Sequence, residues 1–354
     1  MARVSEPYLT VVVVTRNDTH GGDPLRRLQI YIQNLSTQCD TYQLPAELII
    51  VEWNPPQERE PLGKVLEWPA GCRNLAIRIV TVPPEIHSRF PNSDRIPLFQ
   101  MIGKNIGIRR ARGQFILATN IDILFSNELI GYLAARNLEN NTFYRVDRTD
   151  VDSDIPPGLS VDETLAFCRS HVVRRNPKYF LCNMANLKEV IRHIARSPGV
   201  LPYYISNTLH KLVIPRLHYN ACGDFTLMSR EKWFALRGYP EMPIFSLHID
   251  SLLLMMAAYS GLKEEILGHS CEIFHMEHAL GSGITPGMGQ KMLFERLDRE
   301  KVPYLTWGDC IRHAKEYRKK LLAGEKDPSG NTETWGLADL DIPDTPVTGD
   351  CPGK

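Results

Sequence analysis

The sequence predicts an α/β fold built on a mixed, mostly parallel sheet, and three observations predict it. Short β-branched runs recur through the first third of the chain, each run stops at a polar or proline-rich break, and amphipathic stretches separate the runs. Leu9-Thr-Val-Val-Val-Val14 ends in Thr15-Arg16-Asn17-Asp18, and an amphipathic stretch over 24–35 follows, which reads as strand, polar loop and helix. Glu47-Leu-Ile-Ile-Val-Glu52 stops at Asn54-Pro55-Pro56, and Ile77-Arg-Ile-Val-Thr-Val82 stops at Pro83-Pro84. Strands buried on both faces have this near-continuous apolar character. A helix over 98–110 and a strand Gln114-Phe-Ile-Leu-Ala-Thr119 continue the alternation.

Residues 144–215 break the pattern. Asp-rich and Pro-rich segments there surround a helix opened by the capping box Ser160-Val-Asp-Glu163, and a second helix is expected over 187–196. The stretch 217–228, a helix after Ser229, the loop Gly238-Tyr-Pro-Glu241 and a helical run over 249–259 form a second compact half. The chain therefore divides into a nucleotide-binding type of half (1–143), an inserted helix-and-loop region (144–215), a second half (216–322) and a tail (323–354). The tail is rich in Asp, Gly, Pro and Thr, so poor order is expected there unless it docks. No internal repeat is present.

Composition narrows the function classes. With 354 residues, 43% hydrophobic and 23% charged, the chain can bury a substantial core. Its 41 basic residues balance 41 acidic ones, which argues against nucleic acid as the main ligand. No apolar stretch approaches the ~20 residues of a membrane span. The start, Met-Ala-Arg-Val-Ser-Glu-Pro, places an acid and a proline where a signal peptide would carry its apolar core. A cytoplasmic location, at most peripheral to a membrane, is the expectation. The eight cysteines form no C-x-x-C pair and read as reduced thiols. In that compartment the sequons at Asn34 and Asn140 carry no sugar.

In an open parallel sheet ligands sit outside the carboxyl ends of the strands. Three such ends carry polar clusters here: Thr15, Arg16, Asn17 and Asp18; Glu52 to Asn54; and Asn120-Ile-Asp122. In an extended segment Asn120 and Asp122 emerge on the same side, an oxygen pair suited to Mg²⁺ or Mn²⁺ on a diphosphate. The same tripeptide also closes ordinary strands as an Asx turn. Cys271-Glu-Ile-Phe-His275-Met-Glu-His278 reads as a strand with polar ends. Together with His269 its histidines offer a zinc triad, but an H-E-x-x-H helix is absent and a strand would point residues 275 and 278 to opposite faces. One histidine ligating beside Asp122 is expected, with a hydrogen-bonded structural role as the alternative. The glycine-rich stretch over 281–289 lacks the G-x-G-x-x-G spacing and reads as a lid that excludes water.

The segment Gly103-Lys-Asn-Ile-Gly107, Ala111-Arg-Gly113 and Phe115 to Phe125 resembles inverting GT-A glycosyltransferases of family 2, over roughly residues 8–130. More loosely, over 218–280, the motifs Gly223-Asp224-Phe-Thr-Leu-Met, Arg237-Gly-Tyr-Pro-Glu241 and His248-Ile-Asp250-Ser-Leu-Leu are similar to the acceptor half of family 2 enzymes and β-galactosyltransferases. Two departures stand out: the first D-x-D acid is Asn120, and Glu-Trp-Asn-Pro replaces the usual Asp-Asp-Gly-Ser after the second strand.

The resemblance implies a GT-A fold, a Rossmann-like nucleotide-binding half coupled to an acceptor-binding half. It implies a hexosyltransferase-type enzyme that moves a sugar from a nucleoside diphosphate sugar, UDP-sugar favoured, to the hydroxyl of a carbohydrate or glycoconjugate. The donor would meet Thr15, Arg16, Asn17, Asp18, Glu52, Lys104, Asn105 and Asn120. Mn²⁺ or Mg²⁺ would sit on Asp122 with His275, and Asp224 and His248 would contact the acceptor. Asp250 would be the general base of an inverting transfer, or the cap of the helix that it opens. Exostosin-like retaining transferases share a similar acidic region, which leaves the stereochemistry open. A sugar-phosphate nucleotidyltransferase and a non-catalytic sugar-binding protein are the rival readings.

Overall fold

The computed structural model describes residues 6–19, 22–175, 215–268, 270–278 and 290–348. From the amino end, β1 (Leu9–Thr15) leads into α1 (Pro24–Thr41), β2 (Ala46–Trp53), α2 (Leu62–Val65), β3 (Leu75–Val82) and α3 (Pro84–His87). Next come α4 (Gln100–Arg110), β4 (Phe115–Ala118), β5 (Ile123–Phe125), α5 (Asn127–Ala134), β6 (Thr142–Arg145), β7 (Arg148–Val151), α6 (Val161–Ser170) and β8 (Val172–Arg175). After residue 214 follow β9 (Thr226–Ser229), α7 (Arg230–Leu236), α8 (Ile249–Tyr259), β10 (Lys263–Ile266), β11 (Ile273–Met276), α9 (Gln290–Arg299), α10 (Trp307–Leu322) and β12 (Asp344–Thr348). The helix expected over 187–196, the loop over 281–289 and His269 lie outside the described residues.

Eight strands form one sheet in the order β10-β6-β9-β4-β1-β2-β3-β12. The strands β3, β2, β1 and β4 run parallel, β9 lies antiparallel between β4 and β6, and β12 closes the far edge antiparallel to β3. Parallel strands need crossovers that cover both faces. Every residue of β1 and β2 is accordingly buried. Along β1 the side chains alternate: Val12 and Val14 enter the core with α4 and α8, while Val11 and Val13 enter the core with α1 and α5.

The Gly-x-x-x-Gly of α4 has a packing reason. A Cβ at Gly103 would lie 2.7 Å from the Val14 side chain, and one at Gly107 would lie 2.4 Å from that of Val12. Bare backbone thus seats α4 directly on β1, and its first residue, Gln100, reaches the loop after β4.

A second sheet, in the order β5-β11-β7-β8, lies beyond the carboxyl end of β4. β11 pairs antiparallel with β5 and parallel with β7. The second half continues the first, since β9 and β10 extend the same eight-stranded sheet. One expectation changes here. Up to residue 348 the tail is docked rather than loose: Trp335 is 1% exposed, Asn331 is hydrogen-bonded to the 237–241 loop, and β12 pairs with β3. Composition alone gave no sign of that apolar anchor. The six described cysteines are free thiols. Among the described residues, no helix is long and apolar enough to cross a membrane.

Candidate functional site

The carboxyl ends of β1, β2 and β4 meet, as their parallel order requires. Arg16 donates to the Asn54 carbonyl at 2.8 Å and pairs with Asp18 at 2.9 Å, while Asn17 donates to the Glu60 carbonyl at 2.6 Å. These contacts tie the loop after β1 to the loops after β2. Thr15, Asn17 and Glu52 are buried beneath this surface. Glu52 accepts from the Leu62 N–H and the Thr81 hydroxyl, and its burial raises its pKa. Arg16 and Asp18 keep about a fifth of their side-chain surface exposed, unlike the other members of the cluster.

The third strand end behaves differently from the expected extended pair. Residues 121 and 122 form a turn between β4 and β5, so Asn120 and Asp122 do not share a direction. Asn120 accepts from Gln100 at 2.9 Å and donates to Asp224 at 2.6 Å. Asp122 instead faces two histidines. Its Oδ2 lies 3.0 Å from His278 Nε2 and 3.7 Å from His275 Nε2. The register of the small sheet makes this contact: His275 stands opposite Ile123, and the Met276 N–H donates to the Asp122 carbonyl. β11 ends at Met276, so the chain is free to turn and His278 points to the same side as His275. The opposite-face expectation assumed a strand that continued, and two histidines rather than one approach Asp122.

Asp122, His275 and His278 offer one oxygen and two nitrogens within 4.8 Å of one another. Asp122 Oδ1 and His278 Nδ1 are buried and make no hydrogen bond among the described residues. Burial opposes the charge of Asp122, yet His275, His278 and Arg27 outweigh it and hold the carboxyl well below its usual range. Burial also opposes the charge of His275, but the charge of Asp122 and the hydrogen bond that the ring donates to Asp150 raise its pKa. The carboxylate is therefore kept ionised beside two imidazoles, a donor set that fits a divalent first-row cation.

A continuous set of polar contacts surrounds these three residues. Asp150, with no exposure, lies 3.1 Å from His275 Nδ1 and is paired with Arg148 and Arg174 at 2.8 and 2.6 Å. Arg148 also donates to Asp224 at 2.7 Å. Asp224 is thus 7% exposed and committed to Asn120 and Arg148 rather than open to an acceptor.

Lys104 and Asn105 depart from their expected donor contacts. Asn105 is fully buried, donates to the Tyr239 carbonyl and Glu241, and accepts from the Tyr239 N–H. All of its amide groups are used in holding the Gly238-Tyr-Pro-Glu241 loop on α4. Lys104 is also fully buried and donates to the Gly223 carbonyl at 2.6 Å. Burial depresses its ammonium pKa to about 8, opposed by the nearby carboxylates of Asp224, Asp250 and Asp122. Those three acids, from three segments, therefore gather around one lysine.

Asp250 is the second residue of α8, and the N-cap is His248, whose side chain makes no cap hydrogen bond. Asp250 Oδ1 accepts from the Ser251 N–H at 2.8 Å, and Oδ2 lies so close to Gly223 that a Cβ there would stand 2.9 Å away. The cap reading of Asp250 thus gives way to a carboxylate in the first turn of the helix. His248 adopts a left-handed φ of 64°, packs edge-on against Trp307 and has its pKa lowered by burial.

Sequence reasoning weighed His278 only as part of a zinc triad and not beside Asp122, and it missed Asp150, Arg148 and Arg27. The only local signal was the second histidine of His275-Met-Glu-His278, and the others become visible only through strand register.

No family model and no curated protein matches this chain. Among solved structures, it is similar to S. aureus TarS 1–349, with 14% identity over 76% of this chain and 60% of that one at a TM-score of 0.40. It is also similar to the catalytic domain of Drosophila β1,4-galactosyltransferase 7 in complex with xylobiose, with 8% identity over 73% and 63% of the two chains at a TM-score of 0.33. The chain thus spans less than two thirds of the length of either structure. The sheet order, a parallel block flanked by the antiparallel β9 and β12, gives the chain a mixed, mostly parallel α/β fold.

Proposed function

We propose that this protein is a metal-dependent glycosyltransferase of the hexosyltransferase type, moving a sugar from a nucleoside diphosphate sugar to an acceptor hydroxyl. The observation that carries the reading is the meeting of Asp122, His275 and His278 just beyond the carboxyl ends of the parallel strands. Asp122, His275 and His278 would hold the divalent cation, and Mn²⁺ suits two imidazoles better than Mg²⁺ does. When bound, the cation would offset the charge that grows on the departing diphosphate. Arg16 and Asp18 would meet the nucleoside, with Thr15, Asn17 and Glu52 shaping the loop from below. A UDP-sugar is the favoured donor. Lys104 would fix the Gly223 backbone, against which the Asp250 carboxylate rests. Asp250 would accept the acceptor's hydroxyl proton as the oxygen attacks, an in-line step that inverts the anomeric centre.

The test is a thermal-shift screen of UDP-, GDP-, CMP- and dTDP-sugars with and without Mn²⁺, since a ligand bound only by the native state raises Tm. The expected result is a shift for one nucleotide class that requires Mn²⁺. Equal shifts with and without the cation would refute the metal-dependent reading, and no shift for any donor would refute the transferase.

A further inference from the structure

We propose that Asp150 and Arg148 are positioning residues for the cation site: Asp150 holds the His275 ring with Nε2 bare toward Asp122, and Arg148 ties that setting to Asp224. The inference rests on the cation reading given above.

The register of β7 and β11 places Asp150 directly opposite His275, so both side chains leave the sheet on the same face. An ionised carboxylate only accepts hydrogen bonds. At 3.1 Å from His275 Nδ1, Asp150 therefore requires the proton on Nδ1 and leaves the Nε2 lone pair for a cation. Nε2 is the nitrogen that lies 3.7 Å from Asp122.

A buried carboxylate needs compensating charge, and Arg174 at 2.6 Å together with Arg148 at 2.8 Å supplies it. The contact with His275 is additional to that pairing. Arg148 faces Asp150 as an ion pair off the hydrogen-bond axis of its Nε, while its Nη1 donates to Asp224. Asp224 accepts from Asn120, which is two residues from Asp122. The contacts therefore close a ring: Asp122, His275, Asp150, Arg148, Asp224, Asn120 and back along the chain to Asp122. Such a ring fixes each member through two neighbours, so a change at Asp150, which touches Nδ1 of His275, reaches Nε2 through the imidazole ring.

The experiment measures Mn²⁺ affinity of the full chain, without any sugar nucleotide, from the electron paramagnetic resonance signal of free Mn²⁺. Wild type, Asp150→Asn, His275→Ala and the double variant form a cycle. Asp150→Asn is expected to weaken Mn²⁺ by roughly 10- to 100-fold, the range for loss of a carboxylate behind a ligand histidine. The double variant is expected to bind no more weakly than His275→Ala alone, because Asp150 acts through that ring. An unchanged Kd in Asp150→Asn, or full additivity with His275→Ala, overturns the proposal and leaves Asp150 as a structural ion-pair member. A wild-type chain that binds no Mn²⁺ overturns the cation reading and this inference with it. Should Asp150→Asn fail to fold, long-range ¹H–¹⁵N spectra of wild type at a pH where His275 is neutral decide: an Nδ1–H tautomer supports the proposal, and an Nε2–H tautomer overturns it.

Discussion

Replacing Asp250 by Asn separates chemistry from architecture at one atom. Asp250 Oδ1 accepts the Ser251 N–H at 2.8 Å, and the carbonyl oxygen of Asn accepts the same bond in the same place. The N-cap position, His248, is not altered, and its side chain makes no cap hydrogen bond to lose. What is lost is one negative charge, which removes an attraction in the first turn of α8 worth about 0.3–1 kcal/mol of stability and one of the three carboxylates around the Lys104 ammonium. The proton-accepting role is lost completely, and removal of a positioned base lowers kcat by roughly 10² to 10⁴. That factor corresponds to about 2.7–5.4 kcal/mol of barrier, several times the expected stability change. The assay is sugar transfer by the variant, once a donor and acceptor are found, beside a thermal melt and donor binding. Transfer at the wild-type rate in a variant with normal Tm would refute the base. A fall in KM affinity with kcat unchanged would refute it equally, since it would give Asp250 a binding role only.

Asp122→Asn keeps the side-chain shape but removes the one carboxylate of the cation site. The Mn²⁺-dependent part of donor stabilisation, about 2.7 kcal/mol at a hundredfold excess over Kd, is expected to vanish in the thermal-shift screen; its persistence would return Asp122 to a structural role. Asn331→Ala removes a partner from the Arg237 carbonyl and from the Glu241 N–H, and one of two donors to the Tyr239 carbonyl, which keeps Asn105. A loss of about 2–3 kcal/mol is expected, read as a lower urea midpoint at constant slope, whereas an unchanged midpoint would show that the tail docks without stabilising. Lys104 gives a pH signature. Its folded pKa of about 8 lies below the ordinary lysine value, so the unfolded chain binds the extra proton above pH 8 and this group adds stability as pH rises toward 10.5. The stability difference between wild type and Lys104→Met should therefore tilt toward wild type over that window by up to about 1.4 kcal/mol per pH unit, and a flat difference would argue against the buried ammonium.

The sequence by itself determined the layered α/β core and the strand ends at which its polar clusters gather. Strand character is local: β-branched runs stopped by polar residues or proline reveal β1, β2, β3 and β4, and their parallel order follows from the helices between them. Asp122 was legible for the same reason, as the acid just past a buried strand. Asp250 was legible as the acid opening an apolar helix, though not the fact that His248 occupies the cap.

The tertiary structure decided what surrounds those acids. Asp122 and His278 are 156 positions apart and meet because β5 pairs with β11, a register that no local periodicity encodes. The direction of His278 depended on where β11 stops, and a strand end is set by its neighbours as much as by its own residues. Asn105 sits in a motif that reads as donor-binding, yet packing turned its amide into the loop at Tyr239 and Glu241. The tail looked unstructured because a polar segment is ordered by the surface it meets, here an unpaired edge of β3 and a site for Trp335, and that surface exists only after the core has formed.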